Sequence, residues 1–78
     1  MIMKTFSRIE LNSNIMGGKP CIKGTRVTVG TIVGLIASGA SFDNILQDYP
    51  YLKNEDITES LEYAAWRTSE VEVELESA

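Results

Sequence analysis

The sequence predicts a mainly α protein: a three-helix bundle of helix-turn-helix type, entered through a short β-rich arm. Three observations predict it. The chain has 78 residues, 44% apolar and 23% charged, which suits one small soluble globular domain rather than several. Apolar residues then recur at i, i+3, i+4, i+7 in two consecutive stretches after Thr28, and a third apolar stripe follows them, the pattern of amphipathic helices. Finally, turn formers crowd the stretch before Thr28, where no helical period develops.

In order, Met1 to Leu11 lean toward β structure, with Phe6 on one face of an extended chain and Ile9 and Leu11 on the other. Asn12, Ser13 and Asn14 predict a turn, and Gly17 and Gly18 permit an unusual backbone path. Pro20 to Lys23 read as a short extended piece that Gly24 breaks, and Arg26 and Val27 read as a second short strand. Thr28 caps a first helix whose stripe is Val29, Ile32, Val33 and Ile36. Gly30 and Gly34 weaken that helix by roughly 1 kcal/mol each relative to Ala, and Gly34 invites close packing by a neighbour. Gly39 stands where a helix C-terminal glycine belongs.

Ser41 caps a second helix with stripe Phe42, Ile45, Leu46 and Tyr49, and Asp43 in its first turn favours the helix dipole. Pro50 stops it. Asn54 is the predicted cap of a third helix, with Glu55 and Asp56 in the first turn and Ile57, Leu61, Ala64 and Ala65 as its apolar stripe. Tyr63 and Trp66 fall toward a flank. From Ser69 the pattern changes to period two: Val71, Val73 and Leu75 alternate with Glu70, Glu72, Glu74 and Glu76. The expected organisation is therefore a basic β-rich arm over 1–27, a bundle over 28–68 forming one domain with the arm, and an acidic tail over 69–78.

Charge is divided along the chain. Residues 1–30 hold five bases against Glu10, whereas residues 31–78 hold Lys53 and Arg67 against ten acids, for a net charge of −4. A basic arm suits phosphate or an acidic protein surface, and an acidic remainder repels a nucleic-acid backbone. The chain has no histidine and one cysteine, Cys21, so the residues for a structural zinc site, a Cys–His or Ser–His nucleophile pair or a neutral-pH proton shuttle are missing. The expectation is a protein that is not an enzyme, with no metal and no cofactor. A single cysteine, no long apolar run and no secretory pattern at the start predict a cytoplasmic protein without a membrane partner.

The run Gly17-Gly18-Lys19-Pro20-Cys21-Ile22-Lys23-Gly24-Thr25-Arg26-Val27 resembles the signature of the domain-of-unknown-function family number 433. Further blocks at matching spacing are Gly39-Ala40-Ser41, Tyr49-Pro50-Tyr51-Leu52, Glu55-Asp56-Ile57, Leu61 and Tyr63-Ala64-Ala65, so the likeness covers roughly residues 8 to 66. It implies a homeodomain-like three-helix fold preceded by short strands. It further implies an antitoxin of a type II toxin–antitoxin pair, neutralising a nuclease-like toxin of PIN type, dimerising, and binding operator DNA. Two departures stand out. Ser13 replaces a common Pro after the first Asn of the arm, and Lys53 replaces a common Thr that would cap the third helix.

The candidate DNA- or partner-binding residues are Lys19, Lys23, Thr25 and Arg26. Gly18, Pro20, Ile22 and Gly24 are structural members of the same motif. The same residues admit a purely structural reading, in which the glycines make turns while Thr25 and Arg26 tie the arm to the helices. The run lacks the order of a phosphate-binding P-loop. The third helix is recognition helix by position, but its acids oppose that role, so DNA contact is assigned to the arm of a homodimer. Val71, Val73 and Leu75 are the candidate toxin-binding segment, adding as a strand to a sheet edge. The alternatives are a stand-alone helix-turn-helix DNA-binding regulator and a protein-interaction adaptor.

Overall fold

The computed structural model describes residues 6–69. The expectations for Met1 to Thr5 and for the period-two segment with Val71, Val73 and Leu75 lie outside the described residues. The order is β1 (Ile9–Glu10), a 3₁₀ turn (Met16–Gly18), β2 (Cys21–Ile22), α1 (Val29–Ala37), α2 (Phe42–Asp48) and α3 (Asn54–Ser69). The fold is the expected one: three helices and a short two-stranded antiparallel sheet at the start. Among the described residues no helix is long and apolar enough to cross a membrane.

β1 pairs with β2, Ile9 opposite Ile22 and Glu10 opposite Cys21. The sheet is thus made by the arm and the first extended piece. Arg26–Val27, expected as a strand, is not one. Val27 offers its carbonyl to the Ile22 N–H at 2.9 Å, and Cys21 forms a lone bridge with Thr28. The tight turn leaves too few residues before the α1 cap for a second ladder. Leu11, expected on the same face as Ile9, is 66% exposed, whereas Ile9 is buried. β1 ends at Glu10, and Asn12 then turns the chain by accepting from the Asn14 N–H at 2.9 Å. Met16, Gly17 and Gly18 follow with φ of 49°, 66° and 83°. Three left-handed residues in succession strain any side chain, so glycine at the last two is a requirement of the path.

Thr28 caps α1 as expected, its hydroxyl accepting from the Thr31 N–H at 3.1 Å. The end of α1 is a full Schellman arrangement. Gly39, at φ 99°, donates to the Ile36 carbonyl, and the Ala40 N–H reaches back to the Leu35 carbonyl, both at 3.0 Å. Gly34 departs from expectation. A Cβ there would meet nothing within 4 Å, so no neighbour among the described residues exploits the small residue.

Ser41 caps α2 in a reciprocal box, in which Ser41 and Asn44 side chains each accept from the other's N–H at 3.1 Å. α3 begins at Asn54, so Asn54 is its first helical residue and not its cap. The residue before it is Lys53, which has no capping oxygen. Instead Asp56 reaches back and accepts from the Lys53 N–H at 2.9 Å, half of a capping box. The buried residues of α3 are Asp56, Ile57 and Ser60, while Leu61 and Ala64 are half-buried. Ala65, expected in the stripe, is exposed.

The core is aliphatic. Ile9, Ile22, Val27, Val29, Ile32, Ile45, Leu52 and Ile57 are buried together, drawn from both strands, all three helices and their joints. α1 packs chiefly on α3, and α3 also supports β1. Aromatic rings form the rim. Phe6 meets Tyr63 edge-on with centroids 5.2 Å apart and Trp66 at 5.8 Å, closing the arm over the second half of α3.

Candidate functional site

The turn after β2 is built to hold a fixed shape with charged ends. Gly24 (φ 77°) turns the chain, and the Thr25 N–H and hydroxyl both donate to the Ile22 carbonyl, at 3.0 and 2.8 Å. The same hydroxyl accepts from the Val27 N–H at 3.0 Å. Thr25 is therefore spent on the turn itself. Ile22 is core, and the Pro20 carbonyl accepts the Val29 N–H at 2.9 Å, tying the signature run to α1. Lys23 and Arg26 flank the turn with exposed side chains, and among the described residues neither side chain has a hydrogen-bond or ion-pair partner. Arg26 does not tie the arm to the helices.

Lys19 lies apart from that turn. It lines an open cavity of about 420 Å³ with Pro20, Thr28, Gly30 and Thr31, at the start of α1. The Thr28 and Thr31 hydroxyls are 2.8 Å apart there. Of the four residues expected to bind a partner, then, Lys23 and Arg26 share one exposed turn, Lys19 borders a cavity and Thr25 is internal. Gly18 and Gly24 both hold positive φ.

The arrangement that sequence reading missed is a clamp between the arm and α3. The Arg8 Nε–H donates to Asp56 Oδ1, and this is the ion pair among the described residues. The Arg8 main-chain N–H donates to Glu59 Oε1 at 2.7 Å, and the Ser7 hydroxyl to Glu59 Oε2 at 3.4 Å. Asp56 is 1% exposed. Burial pushes its carboxyl up, but hydrogen bonds from Arg8 and the Lys53 N–H, with the positive charges beside it, bring it below the ordinary 3.8. The hydrogen bond to Asp56 likewise raises the Arg8 guanidinium above its ordinary value. Below them the Ser60 hydroxyl, fully buried, donates to the Asp56 carbonyl at 2.7 Å.

A signal for this clamp was present. Asp56 falls inside the apolar stripe, next to Ile57 and one turn before Ser60, and a carboxylate there requires a cation. The clamp changes the electrostatics of α3. Asp56 and Glu59 are occupied by the arm, and Glu55 and Glu62 are the solvent-exposed acids of its first two-thirds. That face remains free of basic side chains apart from Lys53.

A family model described as a protein of unknown function, DUF433, matches residues 9–64. The chain belongs to the DUF433 family. The DUF433 match opens at β1 and closes in α3, so it takes in the basic turn, Asp56 and Glu59, with Arg8 one residue ahead of it. The uncharacterized protein y4eO of Sinorhizobium fredii (strain NBRC 101917 / NGR234) is 37% identical over 56 residues, covering 72% of this chain and 25% of that protein. The crystal structure at 2.00 Å of a DUF433 member from Anabaena variabilis ATCC 29413 is similar with a TM-score of 0.75. The two are 28% identical, and the likeness covers 81% of this chain and 62% of that one. The chain thus spans about a quarter of one relative and under two-thirds of the other.

Proposed function

We propose that this chain acts by binding, as a cytoplasmic antitoxin of a type II pair that neutralises a PIN-type nuclease through direct contact. In this reading it is a homodimer joined through the β arm, and it contacts operator DNA as a second activity. The observation that carries the reading is the rigid turn with Lys23 and Arg26 exposed and unpaired, set on a domain whose α3 face is acidic. A basic protrusion on such a body suits a polyanion or an acidic protein rim. Lys19 extends the positive surface. Val71, Val73 and Leu75, outside the described residues, are the segment assigned to the toxin's sheet edge. The word antitoxin rests on the resemblance of the signature run.

The test is co-expression with the adjacent reading frame, followed by pull-down and a growth assay. A stable complex with growth rescued from a toxic neighbour supports the reading, and no complex with no toxicity overturns it. A stand-alone DNA-binding regulator is the second reading. The exposed acids of α3 favour contact through the basic turn in that reading, and neutralising Lys23 and Arg26 should then lower the salt dependence of DNA binding.

A further inference from the structure

The clamp and the basic turn meet at one residue, Arg8, which is bonded in three directions. Its guanidinium donates to Asp56 Oδ1, its main-chain N–H donates to Glu59 Oε1 at 2.7 Å, and its carbonyl accepts from the Lys23 N–H at 2.9 Å. The first two bonds fix Arg8 on α3, and the third ties the turn to Arg8. Asp56 is a firm base for this, because it is 1% exposed and its second oxygen accepts from the Lys53 N–H.

The remaining bonds of the turn are internal. Thr25 donates to the Ile22 carbonyl and accepts from the Val27 N–H, which sets the shape of the turn. Of residues 23–26, among the described residues, Lys23 alone is bonded to another part of the fold. The ladder of β1 and β2 is two residue pairs long, too short to hold the arm in place without the clamp. Arg8 also differs from Lys23 and Arg26 in charge: it is paired with Asp56, so it is not one of the free cations of this surface.

We propose that Arg8 is a positioning residue for the basic turn: held by Asp56 and Glu59, it fixes the main chain from which Lys23 and Arg26 project toward an anionic partner. Charges placed before contact lower the ordering cost of binding. The inference rests on the reading of the turn as an anion contact, and it adds a buried carboxylate of α3 to what that contact requires.

The test uses a variant for which charge alone and positioning give opposite signs. Asp56→Asn removes a negative charge and frees Arg8, so charge alone tightens the binding of a polyanion, whereas loss of positioning weakens it. The probe is a mixed-sequence DNA duplex titrated with the full chain from about 50 mM salt upward, with a dispersed amide spectrum confirming the folded state. Asp56→Asn should lower affinity several-fold without lowering the salt slope, and Lys23→Ala with Arg26→Ala should lower both. Glu55→Gln, the same charge change on the exposed neighbour, should not weaken binding. Glu59→Ala cuts the main-chain tie of Arg8 and should weaken binding as well, which keeps the test open if Asp56→Asn fails to fold. In the free protein, either clamp variant should speed exchange of the Lys23 amide several-fold more than that of the Ile32 amide in the core. Affinity that holds or rises in the clamp variants, or a Lys23 amide that keeps pace with Ile32, overturns the proposal. An unsubstituted chain that does not bind, or binding indifferent to Lys23→Ala with Arg26→Ala, overturns the reading of the turn instead, and exchange at Lys23 then decides whether Arg8 holds it.

Discussion

Replacing Gly34 with Ala should stabilise the isolated chain, and the structure supplies the reason. Gly34 lies in the middle of α1, is exposed, and among the described residues meets no neighbour within 4 Å of the position a methyl group would take. The substitution therefore adds helix propensity, about 1 kcal/mol, without a steric cost. Unfolding entropy of about 2.1 cal/mol/K per residue over 78 residues comes to roughly 0.16 kcal/mol/K, so the Tm should rise by about 6 °C. Thermal unfolding followed by circular dichroism in dilute solution reads this directly. Gly30→Ala should add a smaller gain, because Gly30 is in the first turn and its new methyl would sit 3.9 Å from the Thr28 hydroxyl. A Tm that stays level or falls on Gly34→Ala would refute the reasoning. It would show that the bare face of α1 serves a contact made outside one chain. A gain seen only in dilute solution would point to the same contact between copies.

Four further outcomes follow from the same geometry. Asp56 ionises more readily in the folded chain, so its stabilisation is complete above the ordinary carboxylate range and drains away as pH falls below 3.8 through the lower folded value. Arg8, shifted upward, stays charged throughout, so Asp56→Asn should flatten the acid limb of the urea midpoint against pH; an unaltered limb would contradict the clamp. Ile57→Ala, at a position with no exposure, should cost about 2–5 kcal/mol by denaturant titration, and a loss under about 1 kcal/mol would mean that the core is loose there. Gly39→Ala should lower stability by about 1 kcal/mol, since φ of 99° closes the Schellman turn, and a gain would be incompatible with that conformation. Neutralising Lys19, Lys23 and Arg26 together should leave unfolding within about 0.5 kcal/mol while reducing any salt-dependent DNA binding, and an unchanged salt slope would remove the basic arm from the interface.

The readable parts of this chain were those that obey local rules. Thr28 and Ser41 cap helices because a hydroxyl beside free N–H groups needs no tertiary partner. Gly39 and Pro50 mark helix ends for reasons of backbone sterics alone. The stripe from Val29 to Ile36 and that from Phe42 to Tyr49 repeat at a period only a helix satisfies.

The sequence by itself therefore determined three helices, the caps of the first two, the turns between them and the uneven charge along the chain. Tertiary structure decided which charges are free. Arg8 counted toward a basic arm and Asp56 and Glu59 toward an acidic helix until folding brought residues about fifty positions apart into contact. Burial removed the water that would have screened Asp56, so the cation had to come from whatever strand lay above it. Strand pairing was settled in the same way. β1 and β2 are too short to prefer one another by propensity, and Ile9 opposes Ile22 because both complete the core over Ile57. Local chemistry fixes each element, while the pairing of distant charges and faces depends on a shared interior that no short window of residues contains.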